Sequence, residues 1–253
     1  MNDDKKYIDG IYNYCDRWCE KCGFTSKCRL YSAETKIIAY EILNDGELPK
    51  FEEIFKKEIE EISEELEELD LEEDDLLFDE DFKTDNESTE ENIDEESEET
   101  DYEIDPLSYE YFILAHAFCG EIEKKYKLNP PTPKKLEDPV VKYIWNNYEV
   151  ISWFQSLIHV KIKRALWNKD RMEKEEDEEE KEFDKYDMDG TAKVAIIGIK
   201  RSIESFNNLY EILPEYSEEI SSFLIHLGKI LNLAETEFPD YNKFIRPGFD
   251  TIQ

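Results

Sequence analysis

Between Asp138 and Asp170 the apolar side chains recur every third or fourth position: Val141, Ile144, Trp145, Tyr148, Ile151, Phe154, Ile158, Ile162 and Leu166. That period marks one face of an α-helix and excludes the two-residue alternation of a half-buried strand. An apolar stripe so long has to be covered by other helices. Three more stretches carry the same signal. Tyr109, Phe112, Ile113, His116, Ala117 and Ile122 predict a helix opened by Asp105-Pro106 and ending near Lys127. Val194, Ile197, Ile203, Phe206 and Leu209 predict another, opening at Asp189-Gly190 with Asp189 as N-cap and closed by Pro214. Ile220, Phe223, Leu224, Leu227, Ile230 and Leu231 predict a last one, started by Ser217 with Glu218 and Glu219. No alternating pattern and no internal repeat occurs. The expected fold class is all-α, with residues 105–253 forming an antiparallel helix bundle.

The N-terminal part is organised differently. Residues 31–70 are expected to form a helical hairpin. Its first helix covers about 32–44, with Ser32 as N-cap, Ile37, Ile38 and Ile42 on one side, and Asn44-Asp45-Gly46 as the stop. The second runs from Pro49 to Asp70, where Phe55, Ile59, Ile62, Leu66 and Leu69 form a heptad seam. Residues 71–104 read as an acidic disordered linker, because Lys83 is their one basic residue and little apolar surface offsets the ordering entropy. Leu76-Leu77-Phe78 with Phe82 suits either a short docking motif or a segment that packs back on its parent domain. A second acidic block, Glu173 to Glu182, either continues the long helix into solvent or is disordered.

Acidic residues number 65 against 31 Lys and Arg, a net charge of −34. A phosphate-binding surface needs clustered cations, so this balance argues against direct nucleic-acid binding and against docking on an anionic membrane. It favours a protein partner, a basic one above all. No stretch approaches the roughly 18 apolar residues of a membrane span. Met1-Asn-Asp-Asp-Lys-Lys leads into no apolar run. The expected location is the cytoplasm, where thiols stay reduced.

Residues 1–30 form a Cys-rich segment. Cys15, Cys19, Cys22 and Cys28 follow the spacing C-x3-C-x2-C-x5-C, and Cys119 is the one other cysteine. Thiolates bind soft and borderline metals, and four of them complete a tetrahedral Zn site or hold a [4Fe–4S] cluster. Arg17, Lys21, Lys27 and Arg29 interleave the cysteines and offset the charge of such a centre. Both metals stay open, beside a third reading in which the thiols are structural and bind no metal. Zinc ribbons carry two C-x2-C knuckles, whereas this chain has Cys19 and Cys22 alone. The first three cysteines resemble the radical SAM spacing, without that family's strands. The last three resemble the iron–sulfur staple of certain nucleases, without a nuclease core.

Other candidates are thinner. His116 and Cys119 share a helix face but lack partners at matching spacing; they, His159 and His226 read as packing groups. No Glu precedes a histidine by three residues, which removes a di-iron bundle. Asp187-x-Asp189-Gly190 fails as a calcium loop, since Lys185 and Ile196 would occupy ligand positions. Lys161, Lys163, Arg164, Lys169 and Arg171 form a basic patch near the end of the long helix, which Lys193, Lys200 and Arg201 extend toward an anion site. No nucleophile motif accompanies the many carboxylates.

The run Tyr-Cys-Asp-Arg-Trp-Cys-Glu-x-Cys starting at Tyr14 resembles an uncharacterised family of bacterial helical proteins that begin with this motif. The resemblance covers about residues 14–29 and, more faintly, Asp189-Gly-Thr-Ala-Lys-Val-Ala with Arg201-Ser202. It implies a shared helical fold and a shared metal site, and no activity. With ligands but no catalytic constellation, the expected function is non-enzymatic: a metal- or cluster-stabilised interaction or regulatory protein. The alternatives are electron transfer through a [4Fe–4S] cluster, and an acidic mimic of nucleic acid that captures a basic protein.

Overall fold

The computed structural model describes residues 6–44, 102–128 and 131–250. All regular structure among them is helical, with five α-helices and short 3-10 turns. The chain divides into two compact units, one of Met1–Phe24 with Thr100–Gln253, the other Thr25–Glu99.

In the first unit, α2 (Ile104–Tyr126), α3 (Pro139–Lys174), α4 (Glu178–Ile212) and α5 (Ser217–Glu237) form a closed ring. α3 and α4 share the largest interface, and α2 against α3, α4 against α5 and α5 against α2 complete the circuit. α3 and α4 are joined by Glu175–Asp177 alone, and a connection this short forces antiparallel neighbours. Asp138 caps α3: its carboxylate accepts from the N–H groups of Val140 and Val141, with Pro139 at the first helical position. α2 ends where Lys127 turns left-handed (φ 52°) and the buried Leu128 donates its N–H to the Glu123 carbonyl.

Phe118, Phe206 and Phe223 meet at the centre of the ring, Phe206 and Phe223 stacked at 4.7 Å. Ile144, Ile151, Phe154, Ile158 and Ile162 line the α3 side, as their spacing predicts. The α3–α4 pair is close because of Gly198. A Cβ there would stand 2.7 Å from the Phe154 ring, so any side chain would push the helices apart.

Several expectations need correction. α4 starts at Glu178, more than two turns before Asp189-Gly190. Its N-cap is Asp177, which accepts from Glu179 and Glu180 N–H, while Glu178–Glu180 meet the positive end of the dipole. Asp189 is therefore a mid-helix residue. The second acidic block breaks at Glu175–Asp177 and then becomes helix. Likewise, α2 begins at Ile104, so Asp105 lies inside its first turn.

The Cys-rich stretch 1–30 is not a unit of its own: the division falls between Phe24 and Thr25. The reason is that residues before it are fastened to the bundle by side-chain contacts at many points. In the second unit, α1 (Arg29–Leu43) is capped by Cys28 and not by Ser32, and none of its residues is buried. The expected helix at 49–70 lies outside the described residues, as does nearly all of 71–104.

Candidate functional site

The residues before Phe24 form a strap along α3. Tyr14 faces Asp187, a carboxylate that Arg164 of α3 grips. Two residues on, the Asp16 carbonyl accepts from Trp153 Nε1 at 2.9 Å. Trp18 stacks on Trp153 at 5.2 Å and meets Phe154 edge-on. Lys21 then lies over Trp18 and pairs with Glu149 at 2.6 Å. The strap thus runs antiparallel to α3, from Arg164 toward Glu149.

Two other elements press on it. Tyr14 is buried edge-on against Phe244 at 4.6 Å and packs on Val194. Both rings sit on Gly190, where a Cβ would come 2.5 Å from Tyr14 and 2.6 Å from Phe244. Burial, with the Asp187 carboxylate beside it, pushes the Tyr14 phenol up, so it stays neutral. Arg201 of α4 donates to Asp16 at 2.9 Å, and Phe24 meets Phe249 at 5.1 Å. Arg17, between the two fastened stretches, takes a left-handed backbone (φ 58°), a conformation that costs a non-glycine residue about 1 kcal/mol.

Three cysteines ride on this strap. Cys15 donates to the Tyr12 carbonyl at 3.5 Å, Cys19 opens a 3-10 turn, and Cys22 Sγ accepts from Phe24 N–H at 3.4 Å. In the second unit, Cys28 Sγ accepts from Tyr31 N–H at 3.4 Å as the cap of α1. All four are half-buried and outside any disulfide, whereas Cys119 is buried. Burial, helped by Glu123, pushes the Cys119 thiol up to about 12, which makes it inert. Among the described residues no three His, Cys, Asp or Glu side chains are gathered into a set that holds a metal ion. The donor chemistry of the cysteines is that of Zn or cluster ligands, but those on the strap are not gathered into such a set.

Beneath the strap lies the buried end of the basic patch. Lys161 has 9% of its surface exposed, and among the described residues it makes no ion pair or hydrogen bond. Burial lowers its ammonium, Arg164 adds to this, and Cys15 and Asp187 oppose it. Arg164 is taken by Asp187, with bonds of 2.9 and 2.8 Å, and Asn168 gives that carboxylate a third bond at 2.6 Å. Arg171 is taken by Asp184 and Lys169 by Glu237. Lys163 faces solvent. Lys193, Lys200 and Arg201 pair with Asp250, Glu235 and Asp16, so they do not extend the patch as an anion site.

Remaining candidates resolve into scaffolding. His116 is exposed and only 3.5 Å from Gln155, whereas Cys119 points inward, so the two do not form a ligand pair. His226 meets the Leu107 carbonyl at 2.9 Å. Ser108, His159 and Asp105 have the residue types of a hydrolase triad. Yet Ser108 Oγ (2.9 Å) and Asp105 Oδ1 (3.7 Å) both face Nδ1, and a proton relay needs the two partners on opposite nitrogens.

The strap also touches the Asp189–Arg201 stretch of α4. Tyr14 rests on Gly190, and Asp16 pairs with Arg201. Neither Gly190 nor Arg201 stands out by spacing; the docking of the strap gives both their place. No protein-family model matches the chain, and no curated protein or solved structure is similar to it. Among the described residues, no helix is long and apolar enough to cross a membrane. The fold and site therefore define a helix bundle with a docked, cysteine-bearing N-terminal strap.

Proposed function

We propose that the protein is a non-enzymatic interaction or regulatory protein whose N-terminal segment is fixed by a Zn or [4Fe–4S] centre held by Cys15, Cys19, Cys22 and Cys28. One observation carries this. The strap is fastened on both sides of its cysteines, at Tyr14 and Asp16 and again at Trp18 and Lys21, while the sulfurs themselves stay half-exposed. Cysteines kept for packing alone would be buried, as Cys119 is. A metal that gathers the four sulfurs adds its binding free energy to the folding of this segment. The absence of disulfides among the cysteines suits a reducing cytoplasm, and the acidic excess suits a basic protein partner.

Metal, iron and sulfide content of protein purified without oxygen tests the proposal. One zinc, or a cubane cluster with its visible absorbance, is expected. Cys19→Ser should lower both the metal content and the melting temperature; unchanged values for both would end it. A second proposal is electron transfer through a cluster, favoured by the stacked Trp18–Trp153 pair next to Cys19. It requires colour that bleaches on reduction with dithionite.

A further inference from the structure

We propose that Cys19 and Cys22 are a thiol–disulfide pair, a dithiol that a small-molecule disulfide converts into a disulfide inside the strap. This goes beyond the metal proposal and needs neither a metal nor Cys28, which belongs to the second unit.

Cys19-Glu-Lys-Cys22 closes one 3-10 turn, in which the Cys22 N–H donates to the Cys19 carbonyl at 3.2 Å. Residues three apart in such a turn lie one above the other, with Cα atoms about 6 Å apart. A disulfide spans roughly 4.4–6.8 Å between Cα atoms, so the backbone already holds the two cysteines within bonding range. Both lie in the strap's own unit, both are half-buried, and neither is in a disulfide. Glu20, Lys21 and Gly23 around them are exposed, which leaves the turn open to a small reagent. The bundle holds the turn from both ends. Trp18, just before it, stacks on Trp153, and Lys21 inside it pairs with Glu149 at 2.6 Å. Docking thus orders the loop before any bond forms, so little entropy is left to lose on closing it. The other cysteines are placed differently. Cys15 lies beyond Arg17 with its left-handed backbone, and Cys119 is buried in the bundle.

The reaction is thiol–disulfide exchange. One cysteine, as thiolate, attacks a sulfur of a small disulfide RSSR; that S–S bond breaks, one RS⁻ leaves, and a mixed disulfide forms. The thiolate of the second cysteine attacks the protein sulfur of the mixed disulfide and expels the other RS⁻. The two leaving thiolates take up the two protons that the cysteines gave. The pair loses two electrons, and RSSR is reduced to two RSH. In a reducing compartment such a bond reports redox state and is no permanent staple. Because docking favours the bond, the bond favours docking to the same extent, and oxidation tightens the Trp18–Lys21 end of the strap.

The test uses the full chain, kept in a chelator without oxygen and equilibrated with mixtures of reduced and oxidised glutathione. The remaining thiols are then alkylated in urea, and the chain is digested with trypsin, which cuts after Arg17, Lys21 and Lys27. Cys19 and Cys22 fall on separate peptides, 18–21 and 22–27, which a disulfide between them keeps together. That linked pair is the expected product, with Cys15, Cys28 and Cys119 alkylated. Its equilibrium constant against glutathione should be about 10-fold larger in the folded chain than in urea, a reduction potential ~30 mV lower. Equal constants in the folded and unfolded chain would overturn the proposal. So would a mixed disulfide with glutathione as the main product, or Cys15 or Cys28 linked as often as the pair. None of these outcomes alters the metal content on which the earlier proposal stands, so the two fail separately.

Discussion

Between Val194 and Leu209, α4 meets its neighbours through Ala195, Ile199, Phe206 and Leu209, all fully covered by apolar partners. Between Asp184 and Asp189 the same helix is buried too, but beside Met188 its buried groups are three aspartates. Arg171 reaches Asp184, Arg164 and Asn168 reach Asp187, and Lys185 reaches Asp189 from one turn below. The C-terminal part is held by shape, where each methylene counts. The N-terminal part is held by partner identity, where removing one group strands another. The strap docks at the junction, on Gly190, with Asp187 on the ionic side and Arg201 on the packed side.

Substitutions should separate the two regimes. The largest effect is expected from Phe206→Ala, which empties the space shared with Phe118 and Phe223 and should cost about 3–5 kcal/mol in urea unfolding. A cost below about 2 kcal/mol would mean that the packed part collapses readily, and the contrast would fail. Asp187→Leu keeps the branching of the side chain but strands Arg164 and Asn168. Because the Arg164 side chain is 48% exposed and rehydrates, the cost should be about 2 kcal/mol. Amide exchange should accelerate over residues 180–190 and stay slow over 195–209; acceleration throughout would make α4 a single cooperative element. The smallest change is Asp177→Ala, which removes the cap of the ionic part for about 1 kcal/mol. Faster exchange confined to the first turn is the signature to look for.

The same contrast explains what sequence spacing can reveal. α3 and α5 follow from apolar period alone, because their buried faces are apolar. In α4 the period is legible from Val194 onward and vanishes before it. Asp184, Asp187 and Asp189 sit among Glu178–Glu182 and look like one solvated acidic run, and nothing in their spacing names the cations that lie on α3. Asp189 before Gly190 also imitates a cap. The glycine has a different cause, the two rings pressed on it. Of the candidate site, the four cysteines and the buried Lys161 of the basic patch are visible in the sequence. The strap's path is not. It depends on an indole-to-carbonyl bond and an ion pair, Trp153 to Asp16 and Asp16 to Arg201, whose partners no local pattern links.

The strap's partners also have an order in time. Asp16 and Arg201 are separated by 185 residues. Tyr14 and Phe24 rest on Phe244 and Phe249, which are translated later still. At the usual pace of translation, about 5–20 residues per second, the cysteines leave the ribosome many seconds before the surface they dock on exists. Throughout that interval the strap has nothing to dock on. The strap is thus made well before the surface that holds it, and its docking waits for the C-terminal residues of the bundle.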